Sequence, residues 1–157
     1  MTANEIAVIL AVAVILILIL YFISAKGEKR KLTLVNSEDK RIELDVEIAN
    51  NSITRAKGLM GRSSLGENEG MLFIFNKSGI YSFWMLNTTI PLDAIYLSEE
   101  GTVVDIMEME PCGLNITKCR LYTPKAEARY VLEVNQGFSK EHNIEVDDSR
   151  ILLESSQ

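Results

Sequence analysis

The chain has 157 residues, 47% of them hydrophobic, with two cysteines and one histidine. That is room for one ordinary domain with a real core, and a single imidazole with two thiols excludes most zinc sites. Without Lys26 and Glu5, residues 27 to 157 hold 15 Lys+Arg against 21 Asp+Glu and carry the whole net charge of −6; with no basic run beyond residue 31, nucleic acid is excluded as a partner.

The first element is Ile6 to Ile23, "IAVILAVAVILILILYFI", 18 residues without a charge or a glycine. As a helix it spans about 27 Å at ~1.5 Å per residue, close to the ~30 Å of a bilayer's hydrocarbon. It has no polar face to turn outward from a core. Met1 to Glu5 lacks the Lys or Arg of a signal peptide's n-region. The sequence therefore predicts an uncleaved, single-pass membrane anchor. Residues 1–31 form the anchor and a basic linker, and residues 32–157 form the globular domain. Orientation signals conflict. Lys26, Lys29, Arg30 and Lys31 follow the span, and the positive-inside rule would keep the domain in the cytoplasm. Asn-x-Ser/Thr acceptors begin at Asn50, Asn76, Asn87 and Asn115, a motif with meaning only outside the cytosol.

Within the domain, Arg41 to Ala49 ("RIELDVEIA") alternates strictly, with Ile42, Leu44, Val46 and Ile48 on one side, as a half-buried strand does. Ile53, Ala56, Leu59 and Met60 then recur at helical spacing, with Ser52 as N-cap and an end near Gly61. Gly70 to Phe75 and Ile80 to Leu86 read as two strands joined by a polar turn. "LDAIYL" and "TVVDIMEM" flank Ser98-Glu99-Glu100-Gly101, a hairpin signal. Ala128 to Val134 reads as a late strand and "GFSKEHN" as a last helical turn. The fold class expected is mainly β: a compact antiparallel sheet or barrel with one or two short helices.

Three ordered phrases, "RAKGLMGRSSLGENEGMLFIF", "FWMLNTTIPLDAIYL" and "ARYVLEVNQGF…HNIEVDD", resemble the signature blocks of the domain-of-unknown-function family 192. The likeness covers nearly the whole globular part. Two positions depart from the family's pattern: Asn135-Gln136-Gly137 stands where Asn-Ala-Gly is frequent, and Asp147-Asp148 replaces a terminal Gly-Asp. The resemblance implies a small β-rich prokaryotic domain, frequently exported or membrane-tethered, and implies no reaction.

Cys112 and Cys119 enclose "GLNITK" ahead of Tyr122-Thr123-Pro124, where similar family members also carry cysteines. A metal reading lacks two ligands, and two unlinked buried thiols are the bland alternative. A disulfide is the expected state, and it favours an oxidising, extracytoplasmic location.

No nucleophile set, phosphate-binding glycine loop or cofactor motif stands out. His142 lies in a polar run, and the methionines fall in apolar runs that suit core packing. The stretch Tyr81 to Leu97, "YSFWMLNTTIPLDAIYL", attracts attention. Pro91 forces Ile90 toward extended backbone, so Asn87 to Ile90 must turn. Asp93 then shares a strand face with Ile95 and Leu97, where a carboxylate is costly unless bonded. Two readings follow. Asp93 accepts backbone N–H groups of the Asn87–Ile90 turn, or it lines a small pocket with Trp84 and Asn87 and with Arg62 or Arg129. Glu133 offers a second carboxylate.

The resulting expectation is a membrane-anchored domain that binds a small polar ligand or an envelope component, without catalysis. A cell-envelope hydrolase using Asp93 and Glu133 is one alternative. An assembly factor that binds another membrane protein is the other.

Overall fold

The computed structural model describes residues 2–24 and 28–152 and, within the N-terminal helix, the side chains of residues 4–19. That helix, α1 (Ala3–Ser24), precedes seven strands: β1 (Glu28–Val35), β2 (Arg41–Ala49), β3 (Glu69–Gly79), β4 (Leu92–Leu97), β5 (Val103–Met109), β6 (Ala128–Asn135) and β7 (Arg150–Leu152). Two short helices, α2 (Ser52–Lys57) and α3 (Phe138–Glu141), complete the elements used below. The strands make one sheet in the order β5-β4-β6-β3-β2-β1-β7. Every pairing is antiparallel except that of β2 with β3. The sheet curls until its edges meet. Thr102 bridges Arg150, the Ile151 N–H donates to the Gly101 carbonyl, and the Val103 N–H donates to that of Ser149. The mainly β, barrel-like class expected from the sequence is the one that forms.

Apolar clusters cover both sides of this sheet. Leu34, Leu44, Val46, Ile95, Leu132, Val134, Phe138 and Ile151, drawn from its centre and both edges, fill the inside of the curl. Leu59, Met71, Phe73, Met85, Ala94, Tyr96, Tyr122 and Val131 form a second cluster on the outer face, beneath α2 and the loops 80–91 and 110–127. β4 is consequently buried at all six positions.

Several local expectations need correction. Among the described residues no helix is long and apolar enough to cross a membrane, so the span expected over Ile6 to Ile23 is not shown, and the side chains of residues 20 to 23 lie outside the described ones. The helix itself forms, with exposed apolar side chains from Ile6 to Ile19. Lys29, Arg30 and Lys31, expected in a linker, belong to β1. Acidic residues on the neighbouring strands draw them in: Lys31 stands opposite Asp45 and pairs with it at 2.8 Å, and Lys29 pairs with Glu69 at 3.4 Å. The N-cap of α2 is Asn51 rather than Ser52. Its Oδ1 accepts from the N–H groups of Ile53 and Thr54, and Thr54 Oγ1 accepts from the Asn51 N–H in return. β3 runs on to Gly79, and Ile80 to Leu86 is no strand. Only Phe83 makes a bridge, exchanging both backbone bonds with Tyr122, so the segment lies as a loop across the outer face.

Cys112 and Cys119 are joined, with Cα atoms 5.0 Å apart, around a 3-10 turn at Ile116–Lys118 that Asn115 caps. A bridge closing so short a loop stabilises by about 2–3 kcal/mol, mainly by restricting the unfolded chain. Reduction should lower the denaturation midpoint by that much; an unchanged midpoint with reductant present would show that the bridge contributes nothing.

Candidate functional site

β6 occupies the centre of the sheet, between β3 and β4, and Val131 to Val134 in it are buried. Glu133 sits in it, opposite Met71 on β3 and Ala94 on β4. Alternation along the strand places it on the outer face with Val131, and with Ala94 and Tyr96 of β4. The residue is 4% exposed. Burial pushes its carboxyl up to about 8, and no neighbouring cation offsets that rise. Two residues along β4, the buried Tyr96 hydroxyl has no hydrogen-bond partner. Its ionisation is driven upward by burial and then by the nearby charges of Glu133 and Asp105. A buried acid whose proton affinity is raised by burial and a hydroxyl without a hydrogen-bond partner thus share one face of the sheet, an arrangement that protein interiors rarely tolerate without cause.

Aromatic rings and α2 roof this face. The Phe83 ring meets Phe73 edge-on at 4.9 Å and Tyr96 edge-on at 6.0 Å. Trp84, 42% exposed, stands at the rim. Between them lies a cavity of about 40 Å³ lined by Arg55, Gly58, Phe73, Phe83, Trp84 and Glu133, with Lys57, Leu59 and Thr88 contributing to its walls. That is room for a group the size of a water molecule, far below the volume a drug-sized ligand needs. Arg55 is fixed at its edge: Nη1 donates to the Ile74 carbonyl at 2.9 Å, and the guanidinium lies 5.3 Å from the Phe75 ring centre. Gly58 ends α2 with φ at +48°, and a Cβ there would stand 3.4 Å from Phe73. A larger depression of about 390 Å³ beside Asn36, Arg41 and His142 is built differently. Asn36 Oδ1 accepts from the N–H groups of Glu38 and Lys40, and its Nδ2 donates to the His142 carbonyl. Its buried amide has no unmet demand. Among the described residues, no group of three or more His, Cys, Asp or Glu stands together to hold a metal.

Of the residues singled out from sequence, Trp84 and Glu133 meet at this cavity. The others do not line it. Asp93 is 1% exposed on the opposite face of the sheet, as the parity of "LDAIYL" requires. Its partners are not the Asn87–Ile90 turn: Oδ1 accepts from the Gly137 N–H at 3.2 Å and Oδ2 from the Ser139 N–H at 2.9 Å. It pins the start of α3, where Gly137 takes φ +89°. Asn87 adopts φ +54° and serves the backbone: its N–H donates to Gly113 and its carbonyl accepts from Gly61. Arg62 pairs with Glu47 at 2.6 Å, and Arg129 donates to the Asn76 carbonyl. Register excludes a carboxylate pair. Asp93 lies opposite Val134, and Glu133 opposite Ala94, so the two acids project to opposite faces. The hydrolase geometry does not exist here. Sequence reasoning missed Tyr96 and Arg55, the first because it falls in phase with Leu92 and Ala94 and reads as core.

Two substitutions separate the acids. Asp93→Ala should cost about 2–4 kcal/mol, because two buried N–H groups lose a charged acceptor. Asp93→Asn should cost roughly half as much, since one oxygen becomes an N–H₂ group facing a donor. Chemical denaturation decides, and a loss below about 0.5 kcal/mol for the alanine variant would contradict the staple. Glu133 titrates near 8 when folded and at 4.5 ordinarily, so the folded state holds the proton more tightly. Its contribution is fully present below 4.5 and is lost as pH rises to about 8. Glu133→Gln should flatten the stability profile across that window and overtake the parent at pH 9. Parallel profiles would mean that the acid ionises unhindered.

Comparisons with known proteins agree with this fold. Residues 33–151 match the domain-of-unknown-function family 192, DUF192, described as Uncharacterized ACR. A UPF0127 protein of Pyrococcus abyssi is 35% identical over 123 residues, 73% of this chain and 93% of that one. One from Pyrococcus horikoshii is 30% identical over 122 residues, covering 73% and 95%. Among solved structures, a candidate transcription regulator of Sinorhizobium meliloti superposes with TM-score 0.73 at 28% identity, over 80% of this chain and 94% of that one. A protein of Novosphingobium aromaticivorans, described as of unknown function, gives 0.70 at 29%, over 80% and 85%. With a family match across most of its length, the chain belongs to DUF192.

Proposed function

We propose that the domain is a binding module whose ligand enters the cavity between α2 and the outer face of the sheet, with Glu133 at its floor and Trp84 at its rim. One observation carries the reading: a buried acid of raised proton affinity lines a cavity that Arg55 and Trp84 also line. Perturbed acids of this kind concentrate where proteins bind or react. Asp93, the acid that a paired-acid hydrolysis would join to Glu133, lies on the other side of the sheet, which favours binding over hydrolysis by that pair. A nucleic-acid role, which the description of the Sinorhizobium protein suggests for that protein, gains nothing from a net charge of −6.

In this proposal α1 tethers the module to a membrane. The apolar sequence continues to Ile23, and the described side chains of α1 join neither core cluster. Two findings favour an extracytoplasmic domain. The cysteines are bonded, and Lys29 and Lys31 answer to acids in the sheet rather than to a leaflet. A second reading, docking to another membrane protein, draws on Leu114, Ile116 and Leu121, which stand exposed in and beside the bridged loop.

Ala56 is an exposed position on α2 that lines the cavity, so Ala56→Trp should plug the mouth without unfolding the domain. Fragments that shift the emission of Trp84, the parent's only tryptophan, and raise its thermal unfolding midpoint should leave the unfolding midpoint of this variant, which carries a second tryptophan, unchanged. Equal binding to both would place the site elsewhere. In the host, the full chain should sediment with membranes after an alkaline wash; release into the supernatant would remove the tether.

A further inference from the structure

We infer that the cavity is a site for a small zwitterionic amine, with the ligand's primary ammonium seated against Glu133 and its acidic end at Arg55. The inference rests on the binding reading above and names its ligand class.

The two acids of the central sheet provide the argument. Asp93 receives two backbone N–H groups from the chain itself. Glu133, nearly as buried, keeps a proton affinity raised by burial. A group that completes it must bring donors and positive charge together, because a buried carboxylate is stabilised by a charged, hydrogen-bonding partner. A primary ammonium brings three N–H donors and no acceptor. Phe83 and Trp84 present aromatic walls, which attract a desolvated cation. Size selects among cations: about 40 Å³ admits an ammonium and its first methylene, whereas a guanidinium or a quaternary ammonium is too large.

The walls of the cavity also contain cations. Arg55 and Lys57 line it together with Glu133, so a bare cation would be opposed on entry. Arg55 spends one donor on the Ile74 carbonyl, and a guanidinium has five. It therefore retains N–H groups for an anion at the mouth. Opposite charges within one small cavity match a ligand that carries both, separated by one or two methylenes.

The test uses the full chain and four probes of similar size: β-alanine, ethylammonium, propionate and 1-propanol. Trp84 emission and thermal unfolding give independent readouts. We expect β-alanine to bind at least roughly tenfold more tightly than ethylammonium or propionate, since each of these lacks one charged contact. Glu133→Gln should abolish saturable β-alanine binding. Arg55→Met should reduce β-alanine to the level of ethylammonium and leave ethylammonium itself unchanged or improved. Should either variant fail to fold, Ala56→Trp serves in its place and should abolish binding of every probe. Propionate or 1-propanol binding as tightly as β-alanine, and blocked by Ala56→Trp, would overturn the zwitterion assignment and leave the binding site standing. No saturable response from any probe up to about 0.1 M, a range generous for so few heavy atoms, would overturn both.

Discussion

A sheet buried on both faces has to satisfy its polar side chains from within, and that constraint organises this domain. β4 is buried at all six positions, and β6 beside it is nearly so. Water cannot solvate an acid placed in either strand. Two acids are nevertheless present, one per face. Asp93 is answered by a helical turn whose N–H groups converge on it. Glu133 is not answered, and its proton affinity rises accordingly. The same sheet thus supplies both cases under one geometry. The difference between them is not depth of burial but the provision of partners.

That contrast assigns roles to the family's signature residues. Asn135 Nδ2 donates to the Leu65 and Gly66 carbonyls, and Gly137 turns with a positive φ to offer its N–H to Asp93. Asn87, also at positive φ, ties the 80–91 loop to the bridged loop through Gly113. Gly70 admits β6 so closely that a Cβ would stand 2.7 Å from the Glu133 carbonyl. These residues hold the loops and strands in register around Glu133. They look like a site in sequence because polar side chains that satisfy buried backbone are as conspicuous as those that bind ligands. Their architecture positions the site, while the cavity itself has few polar members.

Legibility in the sequence followed the range of the interactions. "RIELDVEIA" alternates, and its strand forms with those bounds, because one solvated and one buried face impose period two. The parity of Asp93 in "LDAIYL" was also readable. Its partner was not, since Gly137 and Ser139 lie 44 and 46 residues away. β1 escaped notice because its first half is charged and owes its place to acids on β2 and β3. Ile80 to Leu86 carries the composition of a strand, yet it covers the outer face as a loop and makes a single bridge. Met85 alone is buried there, while Ile80 and Trp84 stay exposed, so apolar content reports neither pairing nor full burial. Nothing local indicates that β6 inserts between β3 and β4, and that insertion is what carries Glu133 to the centre.

Retention of an acid at such a position calls for a physical reason. A glutamine or a methionine at 133 would fill similar space without the charge penalty, and replacing buried ions by well-packed neutral groups is commonly neutral or stabilising. Stability alone therefore does not favour glutamate. The neighbouring Tyr96 repeats the pattern, since phenylalanine would pack against Phe83 without leaving a hydroxyl unbonded. Two unfavourable choices on adjacent strands, one of them lining the cavity at which Trp84 and Arg55 converge, fit the binding reading proposed above. In that proposal the ligand supplies the donors that would stabilise an ionised Glu133 carboxylate. On the opposite face Asp93 is engaged by two N–H groups, although the Ser139 hydroxyl there has no hydrogen-bond partner, so it is the cavity beside Glu133, and not the unbonded hydroxyl alone, that sets the two faces apart.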